Sequence, residues 1–259
     1  MPGEVLLAAS GVSRRFGGLV AVDHASLTLV RGEVHALIGT NGAGKSTLVN
    51  VLSGEIAATA GRVHLAGRDV THWPQPRRAR AGLGRSYQRT TIFARATVFE
   101  NCRLAAQAHY QRPLRVWASA LRCRDSTRLA EQAIEQAGLI AQAHRIAGTL
   151  SHGQKRQLEI AMCLATAPNV LLLDEPLAGM GAEETGRMLA LLAGLKRGHA
   201  ILLVEHDMDA VFRIADHITV MVDGAVIAYG DPDAIRSNPA VQAAYLGEGF
   251  DAHEAACTD

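Results

Sequence analysis

The sequence is poor in cysteine and has no long apolar run. The longest apolar stretches, around residues 170–173 and 218–222, have the length of a strand and fall well short of a membrane span. The first residues lack the basic segment of a secretory signal. The cysteines stand far apart without C-x-x-C spacing, which argues against a zinc site and a disulfide framework. They are Cys102, Cys123, Cys163 and Cys257. We therefore expect reduced thiols in a cytosolic chain that meets membranes only through a partner.

Aromatic residues and net charge are also scarce, which bears on nucleic-acid binding. Aromatic residues make up 4% of the chain, and the formal net charge is only +1. A basic cluster at Arg77, Arg78 and Arg80 is compatible with a nucleic-acid patch or with a solvated helix face. The solvated face is favoured because few aromatic rings lie nearby to stack on bases. We expect no nucleic-acid partner.

What the chain does have is enough apolar sequence for one sizeable core. Apolar residues make up 48% of the 259 residues, which indicates a globular chain. Strand and helix patterns alternate in residues 1–88 and 166–230, which we expect to form an α/β core with an antiparallel β-layer. Residues 89–165 read as a mostly helical insertion, and residues 231–259 as a C-terminal helical tail. Hairpins are predicted at residues 61–70, with Gly67 in the turn, and at Asp223-Gly224, a type I′ signal.

A glycine-rich loop between a short strand and a helix is the strongest chemical signal. It matches G-x-x-x-x-G-K-[ST], the phosphate-binding loop, whose backbone N–H groups close around polyphosphate oxygens. Lys45 would reach the β- and γ-phosphates, and the Ser46 hydroxyl would ligate Mg²⁺. On the motif alone, a coincidental glycine turn before an amphipathic helix stays open. The loop consists of Gly39, Thr40, Asn41, Gly42, Ala43, Gly44, Lys45, Ser46 and Thr47.

Polar residues at the ends of two other apolar strands could complete such a site. Asp174 suits a Mg²⁺ partner through a coordinated water, and Glu175 could polarise the attacking water. A surface acidic pair is the alternative. His206 could hydrogen-bond the transferring phosphoryl group or be a mere helix-adjacent histidine. Gln88, where core passes into insertion, could sense Mg²⁺ or water, although it is uninformative by itself.

Residues 151–154 have the capping-box form S-x-x-Q ahead of an amphipathic helix. With this stretch in register, the chain resembles an ABC transporter ATP-binding subunit over nearly its whole length. Phe16 is similar to the A-loop aromatic residue, the glycine loop to Walker A, and Gln88 to the Q-loop. Residues 150–154 resemble the LSGGQ-type signature, residues 171–175 Walker B with its catalytic Glu175, and His206 the switch histidine.

The resemblance implies a P-loop NTPase (RecA-like) α/β core with an antiparallel β-subdomain and an inserted helical subdomain. It also implies ATP and Mg²⁺ as cofactors, with Phe16 stacked on adenine. Two subunits, identical or related, would pair head to tail. Ser151, Gly153 and Gln154 of one would then meet the γ-phosphate held by Lys45 of the other. The chain departs from the family pattern at Thr40, usually Pro, and at Gly181, commonly Asp.

Within the family, the chain looks like the LivG/LivF-type subunits of branched-chain amino acid importers. This implies uptake of branched-chain amino acids or a similar small polar solute through transmembrane permeases, with a solute-binding protein involved indirectly. The subunit would sit at the cytoplasmic face of the membrane, with the permease docking near residues 88–100. Urea or amide import, lipopolysaccharide-type export and a soluble ABC ATPase are alternatives. The supporting stretches are FGGLVAV, QLEIA, DEPLAGM, VEHDM and AYLGE, at residues 16–22, 157–161, 174–180, 204–208 and 244–248.

Overall fold

In this computed structural model of the protein, the residues described are 3–87, 91–110 and 124–246. Among them, no helix combines the length and the apolar character that crossing a membrane requires. The strands are β1 (Val5–Phe16), β2 (Leu19–Val30), β3 (Val34–Gly39), β4 (Ala60–Leu65), β5 (Arg68–Asp69), β6 (Leu83–Arg85), β7 (Val170–Asp174), β8 (Ala200–Val204), β9 (His217–Val222) and β10 (Ala225–Gly230). The helices are α1 (Lys45–Ser53), α2 (Gln75–Arg80), α3 (Val98–Tyr110), α4 (Arg124–Gln136), α5 (His152–Leu164), α6 (Ala182–Leu195), α7 (Met208–Ile214), α8 (Pro232–Arg236) and α9 (Pro239–Leu246).

The first sheet is antiparallel, as the sequence predicts, with the strand order β2-β1-β4-β5. Strands β1 and β2 each span 12 residues, which is longer than the short apolar runs that indicate them in the sequence. The register between them shifts at several places, one of them between Ala9 and Val12. Such bulges interrupt the alternation of apolar side chains, so the sequence shows only fragments of each strand. The predicted hairpin at residues 61–70 is confirmed, with Ala66 and Gly67 both at positive φ.

The second sheet is mostly parallel and has the order β10-β9-β3-β8-β7-β6, with only β10 antiparallel to its neighbour. Strands β3, β8 and β7 lie side by side in its centre. Their carboxyl ends therefore share one edge, which is where open α/β sheets bind ligands. The type I′ hairpin between β9 and β10 is also confirmed, since Asp223 and Gly224 have φ angles of 47° and 83°.

The central sheet separates two parts of the hydrophobic core. Because side chains alternate along a strand, Val170 and Leu172 pack with the antiparallel sheet and α1. Leu171 and Leu173 face the other way, into a cluster built with helices α3 to α6. Every residue of β7 is buried as a result.

One basic residue departs from the solvated face expected for the cluster at Arg77, Arg78 and Arg80. The Arg78 side chain is fully buried, and its Nη1 donates to the carbonyls of Val51 and Leu52 at 2.8 and 2.7 Å. Its Nη2 and Nε donate to the carbonyls of residues 71 and 73, both at 3.0 Å. Burial lowers the pKa of this guanidinium to about 10. The expectation is therefore wrong for Arg78, which stabilises the C-terminal end of α1, and right for its two exposed neighbours.

Candidate nucleotide site

The glycine loop joins β3 to α1 and packs tightly against two neighbouring segments. A Cβ on Gly39 would lie 2.1 Å from the carbonyl oxygen of Met221, and one on Gly44 would lie 2.2 Å from that of Ala21. Gly44 also has a φ of 93°, a left-handed conformation that favours glycine. The amide of Gly224 donates to the carbonyl of Ala43 at 3.1 Å. The loop is thus held between β2 and the β9–β10 turn.

Lys45 lies over the loop that precedes it. Its Nζ donates to the carbonyls of Gly39 and Thr40 at 2.6 and 2.9 Å. Beside it opens a cavity of about 560 Å³, lined by residues 41–47, Phe16, Glu175 and the turn at residues 223–224. We call it the phosphate-loop cavity. Its volume lies within the range of small-molecule sites, and it brings most of the sequence-predicted loop residues together with Glu175.

Phe16 stands at the wall of this cavity rather than in the core. Phe16 is 45% exposed, so it is not part of the hydrophobic core. The guanidinium carbon of Arg14 lies 4.4 Å from the ring centroid, a cation–π contact. The ring is therefore held in place at the surface by a neighbouring strand residue.

The two carboxylates at the end of β7 differ in environment. Asp174 is buried, and its amide donates to Ser86 Oγ at 3.2 Å. Burial raises the pKa of the Asp174 carboxyl, while the charges of Arg85 and Lys45 act in the opposite direction. Glu175 is less buried, lines the phosphate-loop cavity and has a φ of 49°, unusual for a residue with a side chain. Its amide donates to the carbonyl of Val204 at 2.9 Å.

The oxygen donors near the loop suit a small hard cation. Ser46 lines the phosphate-loop cavity, and Asp174 lies within electrostatic reach of Lys45. Across the described ranges, no group of three or more His, Cys, Asp or Glu residues forms a metal cluster. Mg²⁺ usually takes one or two protein oxygens and completes its shell with water and substrate phosphates. This donor set fits that habit. The predicted ligand Gln88 falls outside the described residues.

Strand β8 delivers His206 together with a carboxylate that sequence reasoning did not place in the site. Glu205 is 1% exposed, and its Oε1 accepts from the amide of Leu177 at 2.8 Å. Its Oε2 accepts from the amide of His206 at 3.3 Å and lies 3.9 Å from that residue's Nδ1. Burial raises the pKa of the Glu205 carboxyl, and the two N–H donors act against this shift. The only signal in the sequence is a charged residue directly after an apolar strand.

The signature-like residues begin α5, and the predicted capping box is confirmed. Ser151 Oγ accepts from the amide of Gln154 at 3.2 Å, and Gln154 Oε1 accepts from the amide of Ser151 at 3.1 Å. Glu184 lies against this helix end, because its Oε1 accepts from Ser151 Oγ at 3.4 Å and would be 2.7 Å from a Cβ on Gly153. These residues line a cavity of about 350 Å³, here called the signature cavity. It shares no lining residue with the phosphate-loop cavity, so Ser151, Gly153 and Gln154 line a different cavity from the one beside Lys45.

A further groove of about 340 Å³ lies between the central sheet and the helical part. Arg85 forms part of its wall and also donates to Ser53 Oγ at 2.6 Å and to Glu55 Oε2 at 2.7 Å, which ties β6 to α1. Arg156 of α5 donates to the carbonyl of Tyr87 at 3.4 Å. We call this 340 Å³ groove the Tyr87 groove. It adjoins the stretch that leads to Gln88.

Comparison with known proteins gives consistent matches over nearly the whole chain. A sequence profile described as "ABC transporter" matches residues 22–178, and one described as "Branched-chain amino acid ATP-binding cassette transporter" matches residues 225–251. The high-affinity branched-chain amino acid transport ATP-binding protein BraF of Pseudomonas aeruginosa is 40% identical, covering 94% of this chain and 98% of BraF. The corresponding protein LivG of Escherichia coli strain K12 is also 40% identical, covering 95% of this chain and 99% of LivG.

Solved structures agree with these matches. The crystal structure of a nucleotide-free ATP-binding cassette from an ABC transporter superposes with a TM-score of 0.84 at 30% identity, covering 94% of this chain and 100% of that chain. The ADP conformation of an ATP-binding cassette of an ABC transporter gives a TM-score of 0.84 at 31% identity, covering 94% and 99%.

Proposed function

The chain belongs to the ABC transporter family as an ATP-binding, ATP-hydrolysing subunit, and from this premise we propose that it drives uptake of branched-chain amino acids or a similar small polar solute. The matches confirm the family resemblance in the sequence and its P-loop NTPase fold. The names of the relatives and the profile match at residues 225–251 support the class of solute. The main observation in support of ATP hydrolysis is that one cavity is lined both by residues of the glycine loop and by Glu175.

Nucleotide binding is assigned to the loop and to Phe16. The backbone N–H groups of residues 39–47, together with the N-terminal end of α1, would surround the phosphates. Lys45 would exchange its two carbonyl contacts for the β- and γ-phosphates. Thr40, at the position where the family usually has Pro, contributes its carbonyl to Lys45 and needs no side-chain contact with phosphate. Phe16, held by Arg14, offers a flat wall for adenine.

The cation is assigned to Ser46 and Asp174, with Gln88 as a third predicted ligand. Ser46 and Asp174 would hold Mg²⁺, which when bound would supply positive charge against the charge that develops on the phosphates. Because burial raises the pKa of the Asp174 carboxyl, a nearby cation would favour its ionised form.

The chemical step is assigned to Glu175 and His206. Glu175 would polarise the attacking water as a general base, and its place on the cavity wall supports this role. His206, whose imidazole is 67% exposed, would hydrogen-bond the transferring phosphoryl group. Gln88 would sense water or Mg²⁺ in the site and transmit this to the helical insertion.

A head-to-tail pair of subunits is the proposed assembly, and the separate linings of the two cavities support it. Ser151, Gly153 and Gln154 open a helix of 13 residues whose first N–H groups favour an anion. Since they line a different cavity from the one beside Lys45, the γ-phosphate of a second subunit is the proposed occupant of this helix end. The second subunit is either an identical chain or a related one. Gly181 immediately precedes α6 and has no side chain, so it brings no carboxylate to that interface.

Membrane permeases are the proposed further partners, and they would hold the subunit at the cytoplasmic face of the membrane. The predicted docking region near residues 88–100 borders the Tyr87 groove. Two large apolar side chains, Phe93 at 57% and Leu104 at 40% exposed, line a separate surface pocket together with residues 95, 96 and 100. A solute-binding protein outside the membrane would contribute only through the permeases.

The catalytic assignment is tested with purified wild type, Glu175→Gln and Lys45→Ala. Glu175→Gln should bind ATP like the wild type, lose about a hundredfold or more in turnover, and form an ATP-dependent dimer in size-exclusion chromatography. Lys45→Ala should weaken ATP affinity. Rapid hydrolysis by Glu175→Gln would remove Glu175 from the role of base, and unchanged ATP affinity in Lys45→Ala would contradict the assignment of the loop.

The transport assignment is tested by purifying the tagged chain from its native membranes. We expect hydrophobic permeases to copurify, and the ATPase activity of the complex to rise with a loaded branched-chain amino acid-binding protein. A response to urea or amides instead would place the chain in another import system. Recovery of the chain without any permease would favour a soluble ABC ATPase.

A further inference from the structure

We propose that Glu205 is a positioning residue for ATP hydrolysis, which holds the loop after Glu175 with one carboxylate oxygen and His206 with the other. The proposal rests on the function proposed above, because it assigns Glu205 a role toward Glu175 and His206. Neither a phosphate nor a metal ion needs to touch Glu205 for this role.

The burial of Glu205 is the first observation. It follows the last residue of β8, and β8 runs between β3 and β7 in the central sheet. Its side chain is 0% exposed. A carboxylate is costly to bury unless its oxygens are hydrogen-bonded, so such a residue is retained where its hydrogen bonds have a use.

The contact to the Glu175 loop is the second observation. Glu205 Oε1 accepts from the amide of Leu177 at 2.8 Å, while the amide of Glu175 donates to the carbonyl of Val204 at 2.9 Å. Residues 175–177 are thus fastened to the end of β8 at two points. Glu175 is in the left-handed region with a φ of 49°, a conformation that persists when its surroundings over-determine it. Glu205 supplies one of these restraints.

The contact to His206 is the third observation. Glu205 Oε2 accepts from the amide of His206 at 3.3 Å, and it lies 3.9 Å from Nδ1. The second distance exceeds that of a hydrogen bond, so this contact is electrostatic. In the doubly protonated ring, this carboxylate attracts Nδ1–H toward the sheet, and Nε2–H is left to face the nucleotide. One buried carboxylate therefore contacts both the loop that follows Glu175 and His206.

The test compares wild type with Glu205→Gln in the full chain, using MgATP. Glutamine has nearly the same shape, and its oxygen can still accept from Leu177, but its NH₂ group cannot accept from the amide of His206 or attract Nδ1. We expect kcat to fall by about tenfold to a hundredfold, because small misplacements of reacting groups cost that much. The Kd for ATP, measured with a fluorescent analogue, should stay within about twofold, because the phosphate loop is unchanged.

The matched control is Asp216→Asn. Asp216 Oδ2 accepts from the amide of Val34 at 2.7 Å and from Lys196 Nζ at 3.1 Å. This residue also fastens a strand of the central sheet, but it does so at the opposite edge, far from Glu175. Asp216→Asn should lower the thermal midpoint at least as much as Glu205→Gln and leave kcat unchanged. Equal losses of kcat in both variants would mean that Glu205 is merely structural.

A double-mutant cycle asks whether Glu205 acts through His206. Because Glu205→Gln keeps the acceptor for Leu177, it removes mainly the contact to His206. The variant Glu205→Gln/His206→Ala should therefore turn over within about twofold of His206→Ala alone. If instead the two substitutions lowered kcat by separate factors that multiply in the double variant, Glu205 would not act through His206.

A second substitution, Glu205→Asp, keeps the charge and shortens the side chain. It should bind ATP normally and show a kcat between those of the wild type and Glu205→Gln. A folded Glu205→Gln variant with wild-type kcat, or one whose ATP affinity falls as much as its kcat, would refute the proposal. If wild type itself bound ATP without hydrolysing it, the proposed function would fail instead, which keeps the two failures distinct.

Discussion

The buried guanidinium of Arg78 allows a sharp test, because its neighbour Arg77 provides a matched control on the same short helix. We consider Arg78→Met and Arg77→Met, which remove the same charge and keep a similar apolar stem. Arg78 makes four hydrogen bonds to backbone carbonyls, two of them at the end of α1. Arg77 is exposed and lies 3.8 Å from the ring centroid of Trp73.

The expected magnitudes follow from these contacts. Each lost hydrogen bond that leaves a buried carbonyl without its donor costs about 1 kcal/mol or more. The Val51 carbonyl keeps the amide of Gly54 as a donor, so three such losses and one weaker one, partly offset by no longer burying a charge, give about 3–5 kcal/mol for Arg78→Met. An exposed cation–π contact is worth about 0.5–1 kcal/mol, which bounds the effect of Arg77→Met.

Urea unfolding followed by circular dichroism measures both free energies. We expect the midpoint for Arg78→Met to fall well below that of Arg77→Met, with equal slopes, since the surface exposed on unfolding is the same. Because α1 begins with Lys45, the ATP affinity of Arg78→Met should also weaken at urea concentrations near the unfolding midpoint of this variant. Equal losses of stability in the two variants would refute the role of Arg78 as the stabiliser of this helix end.

Three other groups give predictions of their own. Burial lowers the pKa of His35 from 6.5 to about 4, so the unfolded chain binds a proton that the folded chain does not. The free energy of unfolding should keep its highest value above about pH 6.5 and fall by about 3 kcal/mol as the pH is lowered to 4. Urea titrations should show a smaller fall in His35→Gln, and an equal fall would contradict this origin. Gly153→Ala places a methyl group 2.7 Å from Glu184 Oε1, a side chain that can move, so the thermal midpoint should hold or rise. Its ATPase activity should fall about tenfold or more because phosphate can no longer approach the backbone, and undiminished activity would contradict the proposed use of that helix end. Burial raises the pKa of Cys102 and Cys163 to about 12, so neither should react with iodoacetamide at neutral pH in the folded chain. Peptide mapping would detect modification, and labelling at the rate of the denatured chain would refute this.

The sequence predicts best those features whose causes are local. The two hairpin turns and the capping box at Ser151 each depend on a few consecutive residues with special backbone or capping properties. The order of strand, glycine loop and helix is local in the same sense. For such features, propensity and tertiary structure agree.

Features that depend on distant contacts were not predictable. Nothing near Arg78 in the sequence indicates that its partners are the carbonyls at the end of α1. Glu205 gains its second contact from Leu177, which comes from another strand end. Strands β1 and β2 appeared fragmentary because bulges break the alternation of apolar residues. The neighbour of Glu205 is set by sheet order and that of Arg78 by the packing of α2 against α1, and single-sequence patterns specify neither.

The way the glycine loop is anchored has a consequence for local opening of the protein. The amide of Asp23 donates to the carbonyl of Gly224, whose own amide donates to the carbonyl of Ala43. A loop, an antiparallel strand and a hairpin turn therefore share one chain of backbone hydrogen bonds, although they are far apart in sequence. In amide hydrogen exchange these segments should open as a single cooperative unit. A nucleotide that binds only the closed loop would then slow amide exchange at Gly224. Ligand binding at residues 39–47 would thus be detected at an amide about 180 residues further along the chain.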